Sequence, residues 1–247
     1  RGYAALAAKA DRSTIVAVPP AEITHTAMPR TLCCLFLCCL LVACGRPAAA
    51  VEYRIETVAE NLEHPWSVAV LPDGRMLVTE RAGRLRIIED GALLEEPVRG
   101  VPEAYVRSQA GLFEVLLDPD YAANGWIYLS LAHGDAAASG TRVVRGRLSG
   151  HQFTDQQVLF DVQPPRDRPV HYGARMTFMS DGTLLIGLGD AFDYREAAQQ
   201  LDSHTGKIVR IRPDGSVPAD NPFIDTDGAL PEIYSYGHRN VQGLVFD

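Results

Sequence analysis

One short phrase recurs along this chain from residue 51 onward: an apolar strand pattern, a tight turn and a second strand pattern. Two copies turn on Asp-Gly and lie at residues 66–79 and 174–187. A variant that turns on Asp118-Pro119-Asp120 begins at Gly111, and a further copy opens at residues 243–247. Asp-Gly between two β-rich segments is a strong hairpin signal, and we expect both turn residues to take positive φ.

The spacing of these copies predicts an all-β chain folded as a β-propeller. Successive copies begin roughly 45 to 70 residues apart, which is the length of one four-stranded blade. A β-sandwich also has short strands, but it does not repeat one hairpin phrase. We expect an outer strand of the third blade at 206–212 and a helical turn or two at 194–201. Residues 51–247 then supply about three and a half blades, which do not close a ring.

Composition narrows the class of protein. The chain has 247 residues, of which 47% are apolar and 22% are charged, so a globular fold has ample material for a core. Its formal net charge is −8. A nucleic-acid-binding surface needs a basic patch, so the acidic balance argues against nucleic acid as a partner.

The first fifty residues are interpreted as a targeting segment that lies outside the fold. An apolar run at 32–43 follows Met28-Pro29-Arg30 and is followed by small residues, a pattern typical of secretory signals. The run is shorter than the about 20 residues that span a bilayer. We expect Met28 to be the initiator and the residues before it to be an over-extended start. All five cysteines lie in this segment: Cys33, Cys34, Cys38, Cys39 and Cys44.

Two cleavage sites compete in this segment. Residues 41–44, Leu-Val-Ala-Cys, resemble a bacterial lipoprotein box, in which Cys44 becomes lipidated and attaches the protein to a membrane. The alanines at 48–50 offer an ordinary cleavage site before Val51. We favour lipidation of Cys44, and either site predicts an exported protein, periplasmic or anchored to the outer membrane.

Polar side chains stand directly ahead of the innermost strand pattern in three successive copies. Gln109 precedes the second copy, His171 the third, and Arg239, Asn240 and Gln242 the fourth. Innermost strands of a propeller begin beside the central channel, so we expect these side chains to line one cavity. A base, a cation and amides in one cavity suit removal of a proton from an alcohol coupled to hydride transfer. No side chain accepts hydride, so a cofactor is required.

Structural roles compete for the same residues. A histidine in a loop is more often a surface residue than a catalyst, and we interpret His238 as a strand cap. Asp190 is a candidate ion-pair partner for Arg239. Asp190 and Asp193 are candidate calcium ligands, but a loop cap is the simpler interpretation. Four further histidines have no supporting neighbours and are interpreted as loop residues: His64, His133, His151 and His204.

Seven phrases in order make the chain similar to a known family. From about residue 60 to 247 it resembles the soluble pyrroloquinoline-quinone (PQQ)-dependent sugar dehydrogenases, the glucose/sorbosone dehydrogenase family, and in particular its aldose sugar dehydrogenase branch. The phrases lie at 62–67, 109–112, 118–121, 171–176, 205–211, 218–223 and 237–244.

The resemblance implies a six-bladed propeller that oxidises the anomeric CH–OH of aldose sugars to lactones with PQQ and calcium, and that passes electrons to an external acceptor. It implies that His171 is the general base and that Arg239 contacts the quinone at the reacting carbon. Asn240 and Gln109 are implied as further contacts of the quinone and the sugar. Relatives usually carry Asp or Asn where this chain has Val170, which puts one contact of the base in doubt. The calcium ligands are expected beyond Asp247.

Two other functions remain open from the sequence. The first is a non-catalytic propeller that binds carbohydrate or protein, with its base weakened by Val170. The second is a lactonase-type hydrolase, which needs a metal held by Glu, Asn and Asp at the channel. The positions ahead of the innermost strands here are occupied by Gln109, His171, Arg239 and Asn240, which are a poor set of calcium ligands.

Overall fold

The computed structural model describes residues 53–247, which form three four-stranded antiparallel sheets. Each sheet follows the chain as a meander, so each is one propeller blade, and the predicted fold class is confirmed. The signal segment, both cleavage sites, Met28 and Cys44 lie outside the described residues. No helix within 53–247 is long and apolar enough to cross a membrane.

The three blades use consecutive stretches of the chain. The first contains β1 (Pro65–Val70), β2 (Met76–Glu80), β3 (Arg84–Glu89) and β4 (Ala92–Leu93). The second contains β5 (Leu112–Leu117), β6 (Trp126–Gly134), β7 (Ser139–Ser149) and β8 (Gln152–Asp161), with the one-turn helix α1 (Tyr121–Asn124) between β5 and β6. The third contains β9 (Gly173–Phe178), β10 (Leu184–Leu188), β11 (Lys207–Ile211) and β12 (Ile233–Tyr236).

The hairpin turns differ from their expected conformation. In the first blade Gly74 has a φ of 91°, and its N–H donates to the carbonyl of Leu71 at 2.9 Å, whereas Asp73 is not among the positive-φ residues. This is a three-residue loop, a type I turn followed by a left-handed glycine. The turn at Gly182 has the same bonds. The expectation that both residues take positive φ is therefore wrong for these turns, and it is met at Asp90-Gly91.

Apolar side chains fill the space between successive blades. Strands β2 and β3 contribute Leu77 and Leu85 to a buried cluster that includes Leu112 of β5. A second cluster joins Tyr128 of β6 to Ile186 of β10. Because β5 also packs against β1 and β9, the innermost strands stand side by side, and the residues just ahead of them meet at one face.

Two details of the third blade differ from the sequence prediction. The strand expected to be outermost, β11, is the third strand, and β12 pairs with its free edge. Residues 243–247, predicted to open a fourth blade, form no strand in the described structure. The predicted helical turn is confirmed as a short 3₁₀ helix, Arg195–Gln199.

Candidate active site

Polar residues that precede the innermost strands of three successive copies meet around the start of β9. The side-chain oxygen of Gln109 accepts a hydrogen bond from the backbone N–H of His171 at 2.9 Å. The side-chain oxygen of Asn240 accepts one from the backbone N–H of Gly173 at 3.1 Å and another from the Gln242 amide at 3.1 Å. Gln109 and Asn240 therefore clamp the backbone on either side of the His171-Tyr172 pair.

Backbone geometry at the candidate base is unusual and tightly confined. His171 has a φ of 53° and Gly173 a φ of 70°, the left-handed region that few non-glycine residues adopt. Gly189 lies against the His171 carbonyl so closely that a Cβ at Gly189 would collide with that oxygen. The backbone clamp and this close approach hold His171 in a conformation that the chain does not favour locally.

Asp190 fixes the orientation of the His171 ring. Its Oδ1 lies 2.7 Å from Nδ1 of His171, and the two side chains are only 3% and 11% exposed. A carboxylate accepts hydrogen bonds, so in the neutral ring the proton belongs on Nδ1 and the free lone pair on Nε2. His171 is therefore built to accept a proton at Nε2. The sequence presented Asp190 only as a loop cap, a calcium ligand or a partner of Arg239.

Arg239 does not form the ion pair with Asp190 that the sequence offered as an alternative. Its carbonyl accepts the backbone N–H of Asp190 at 2.8 Å, but the Asp190 carboxylate is directed to His171. Arg239 is exposed, and no carboxylate of residues 53–247 lies within ion-pair distance of its guanidinium. The guanidinium lies 5.6 Å from the ring centroid of Phe192. Arg239 thus keeps its charge and its donors available beside the His171–Asp190 pair.

The long connection between β10 and β11, residues 189–206, is stabilised by hydrogen bonds from a buried lysine. Lys207 is fully buried, and its Nζ donates to the carbonyls of Thr205, Ala197 and Ala198 at 2.7, 2.9 and 3.1 Å. Burial lowers the pKa of Lys207 to about 8. The Gly206 N–H donates to the Gly189 carbonyl, which closes the connection at its base.

Two histidines outside the candidate site, His204 and His238, contact neighbouring polar groups through their ring nitrogens. His204, predicted to be a loop residue, is buried: its Nδ1 accepts the backbone N–H of Gln163 at 3.0 Å and its Nε2 lies 3.2 Å from Glu232. His204 does lie in a loop, the 189–206 connection, as predicted. The expectation that it has no supporting neighbours is wrong, because its partners come from chain segments distant in sequence. His238 lies just after β12, and its Nε2 is 2.9 Å from the hydroxyl of Ser235 within that strand. Burial lowers the pKa of His238.

Asp193, a candidate calcium ligand, and Asp118 of the second hairpin turn each have protein partners. Asp193 pairs with Arg168 at 2.5 Å, and Asp118 accepts from the Tyr128 hydroxyl and the Asn124 amide. Within residues 53–247 no group of three or more His, Cys, Asp or Glu side chains is placed to hold a metal ion.

Comparison with known proteins places this arrangement in a family. The sequence model of the Glucose / Sorbosone dehydrogenase family matches residues 62–247. Aldose sugar dehydrogenase YliI of Escherichia coli is 41% identical over 204 residues, which cover 81% of this chain and 55% of that protein. The chain thus spans about half the length of such relatives.

Solved structures agree with the sequence comparison. The apo-form of the soluble aldose sugar dehydrogenase from Escherichia coli superposes with a TM-score of 0.71 at 42% identity, over 75% of this chain and 54% of that chain. The PQQ-bound aldose sugar dehydrogenase from Streptomyces coelicolor gives a TM-score of 0.60 at 31% identity, over 75% and 54% of the two chains. The chain belongs to the glucose/sorbosone dehydrogenase family.

Proposed function

We propose that this chain carries the proton-accepting side of the active site of a PQQ-dependent aldose sugar dehydrogenase. The observation that carries the proposal is the His171–Asp190 pair, which leaves Nε2 of His171 as a proton acceptor beside the exposed Arg239. Family membership and the PQQ-bound relative from Streptomyces coelicolor support the same chemistry.

The donors at the site fit an anionic quinone. PQQ carries three carboxylates and two quinone oxygens, so it needs hydrogen-bond donors and positive charge. Arg239 has no carboxylate partner among residues 53–247. The side-chain oxygens of Gln109 and Asn240 are engaged by backbone N–H groups, which leaves their amide NH₂ groups as donors. Arg239, Gln109 and Asn240 would hold the quinone, as a cation and two amide donors.

The proposed reaction combines a proton transfer with a hydride transfer. Bound PQQ supplies the hydride acceptor that no side chain provides. Nε2 of His171 takes the proton of the anomeric hydroxyl while the anomeric hydrogen departs as hydride, so the C–O bond becomes the carbonyl of a lactone. Asp190 stabilises the imidazolium that forms, because its carboxylate lies 2.7 Å from Nδ1. Gln109 keeps the His171 backbone in place during proton transfer.

Calcium, the electron acceptor and the cellular location belong to the proposal as well. No three His, Cys, Asp or Glu side chains of residues 53–247 cluster as metal ligands, and we assign no calcium ligand and no step to calcium. An external acceptor reoxidises the cofactor, and export with lipidation at Cys44 would place the site in the periplasm, anchored to the outer membrane. Incorporation of labelled palmitate, lost in Cys44→Ala, tests the lipid attachment; unchanged labelling would rule out Cys44.

The proposed base is tested by His171→Gln in the full chain supplied with PQQ and Ca²⁺. Dye reduction with D-glucose is expected to fall by about 100-fold or more, because proton transfer to a positioned base contributes about that factor. PQQ affinity, measured by absorbance titration, should change less than about threefold, since Gln109, Arg239 and Asn240 are untouched.

The matched control is His133→Gln, an exposed histidine of β6, which should retain full dye reduction. Equal turnover in His171→Gln and the unsubstituted chain would remove His171 as the base. Sugar-independent dye reduction, or none with PQQ bound, would reject the dehydrogenase proposal.

A further inference from the structure

Phe192 is an aromatic residue that neither burial nor backbone preference explains. Its φ is 63° and that of Ala191 is 50°, in the left-handed region where glycine, asparagine and aspartate are favoured. Its side chain is 44% exposed. A bulky apolar residue that is both strained and exposed gains little for the fold, and such backbone outliers cluster at binding sites.

The candidate active site holds Phe192 in this conformation. Oδ1 of Asp190 accepts the backbone N–H of Phe192 at 2.8 Å, and the same oxygen lies 2.7 Å from Nδ1 of His171. The Phe192 and His171 rings meet edge to face, with centroids 5.3 Å apart and planes at 77°. One carboxylate oxygen thus positions the base and the aromatic ring together.

Two arginine guanidinium groups lie near the Phe192 ring. The guanidinium carbons of Arg239 and Arg195 each lie 5.6 Å from the Phe192 centroid. Phe192 therefore lies beside both His171, the proposed base for the sugar hydroxyl, and Arg239, a proposed contact of the quinone. A substrate that reaches both groups passes beside the Phe192 ring.

We propose that Phe192 is a specificity-determining residue that stacks against the C–H face of an aldopyranose. The inference rests on the proposed function, since it takes the sugar to be the molecule between His171 and Arg239. A pyranose ring presents a row of C–H groups on one face and hydroxyls around its edge. The electron-rich face of an aromatic ring attracts the C–H groups. An open-chain polyol has no such face, so Phe192 favours closed-ring sugars.

The test uses two substitutions that separate binding from stability. Phe192→Asn removes the ring and places a residue that tolerates positive φ, so Tm should stay the same or rise by up to about 3 °C. The affinity for D-glucose, measured by saturation-transfer NMR on the PQQ-loaded full chain, should fall about five- to tenfold. Phe192→Trp keeps an aromatic face, and its glucose affinity should stay within about twofold of the parent.

Two controls complete the experiment. Tyr236→Asn removes an aromatic side chain of similar exposure, 46%, that meets Phe223 edge to face, and should leave glucose affinity unchanged. D-Glucitol, the open-chain probe, should bind the parent and Phe192→Asn alike.

Each result bears on the inference. Unchanged glucose affinity in Phe192→Asn overturns it, as does a joint loss of Tm, PQQ affinity and glucose affinity, which would show a structural role. Parent protein that binds no glucose overturns it together with the proposed function. Glucose binding that depends on Phe192 without dye reduction supports it and rejects the dehydrogenase proposal alone.

Discussion

The first and third blades have the same scaffold but differ in one connection. Both are four-stranded antiparallel meanders with the same turn between their first two strands, at Gly74 and at Gly182. In the first blade residues 81–83 join the second and third strands, whereas in the third blade residues 189–206 do so. The candidate site needs the longer connection because Asp190 and Phe192 lie on it. A blade is thus a repeated support, and function follows from what one connection adds.

The longer connection needs its own internal bonds, because a loop without them lacks partners for its backbone groups. Lys207 supplies three hydrogen bonds from below, and His204 joins the connection to the preceding loop at Gln163. The first blade has an exposed pair, Arg75 with Asp73, at its turn instead. Five predictions test this division between scaffold and site.

The largest effect is expected at Asp190. Asp190→Asn removes the negative charge beside His171, so the imidazolium that forms on proton transfer loses its stabilising partner. We expect kcat for D-glucose dye reduction to fall about 100-fold or more. Asp193→Asn, in the same connection but paired with exposed Arg168, should change kcat less than about threefold. Similar losses in both variants would show that the connection acts only as a unit of structure.

Replacing Lys207 should loosen the third blade far more than a surface cation loosens the first. Lys207→Met leaves three buried carbonyls without a donor, and we expect the free energy of unfolding in urea to fall by about 3 kcal/mol at pH 7. Arg75→Met removes a surface ion pair and should cost at most about 0.5 kcal/mol. Equal losses would contradict the proposed division.

The Lys207 effect has a defined pH dependence. The folded pKa of about 8 lies below the unfolded value of about 10.4, so between these pH values the unfolded chain binds more protons than the folded one. The contribution of Lys207 to stability therefore rises as the pH rises through this window. The stability gap between the parent and Lys207→Met should widen from pH 8 to pH 10.

A smaller loss of stability, equal at the two sites, is expected when the matching turn glycines of the first and third blades are replaced. Gly74 and Gly182 have φ values of 91° and 80°, and a Cβ at either position meets open space. Alanine at either site should therefore cost only backbone strain, about 1 kcal/mol in urea unfolding. The double variant should show the sum of the two losses. A difference above about 1 kcal/mol between the two turns would mean that the scaffolds are not equivalent.

The smallest effect concerns acid stability. The Thr183 hydroxyl and backbone N–H, with Arg210, lower the pKa of Asp181 to about 2. The stabilisation is present above pH 4 and is lost as the pH falls through about 2. Asp181→Asn should therefore flatten the stability profile between pH 4 and pH 2. Asp73→Asn should flatten it less, because Arg75 is the main partner of exposed Asp73. Identical profiles for the two variants would remove this distinction.

Sequence patterns predicted the strands and the polar residues that precede them because both depend on local chemistry. Alternating apolar residues and turn glycines determine where strands start and stop, and the innermost strands bring Gln109 and His171 to one face. The turn at Gly74 was predicted in position but not in conformation, since loops of two and three residues share the same Asp-Gly letters. The partners of His204 and Lys207 carried no sequence signal.

The sequence by itself determined that the chain builds propeller blades, that polar residues precede the innermost strands, and that the chain belongs to the glucose/sorbosone dehydrogenase family. Tertiary structure alone decided that the Asp190 carboxylate contacts His171 rather than Arg239, and that Phe192 lies against the proposed base. Those contacts join residues across the 189–206 connection, whose path depends on buried bonds from Lys207 and the close approach of Gly189. Such long-range geometry follows from packing the blades together, and no local pattern encodes it.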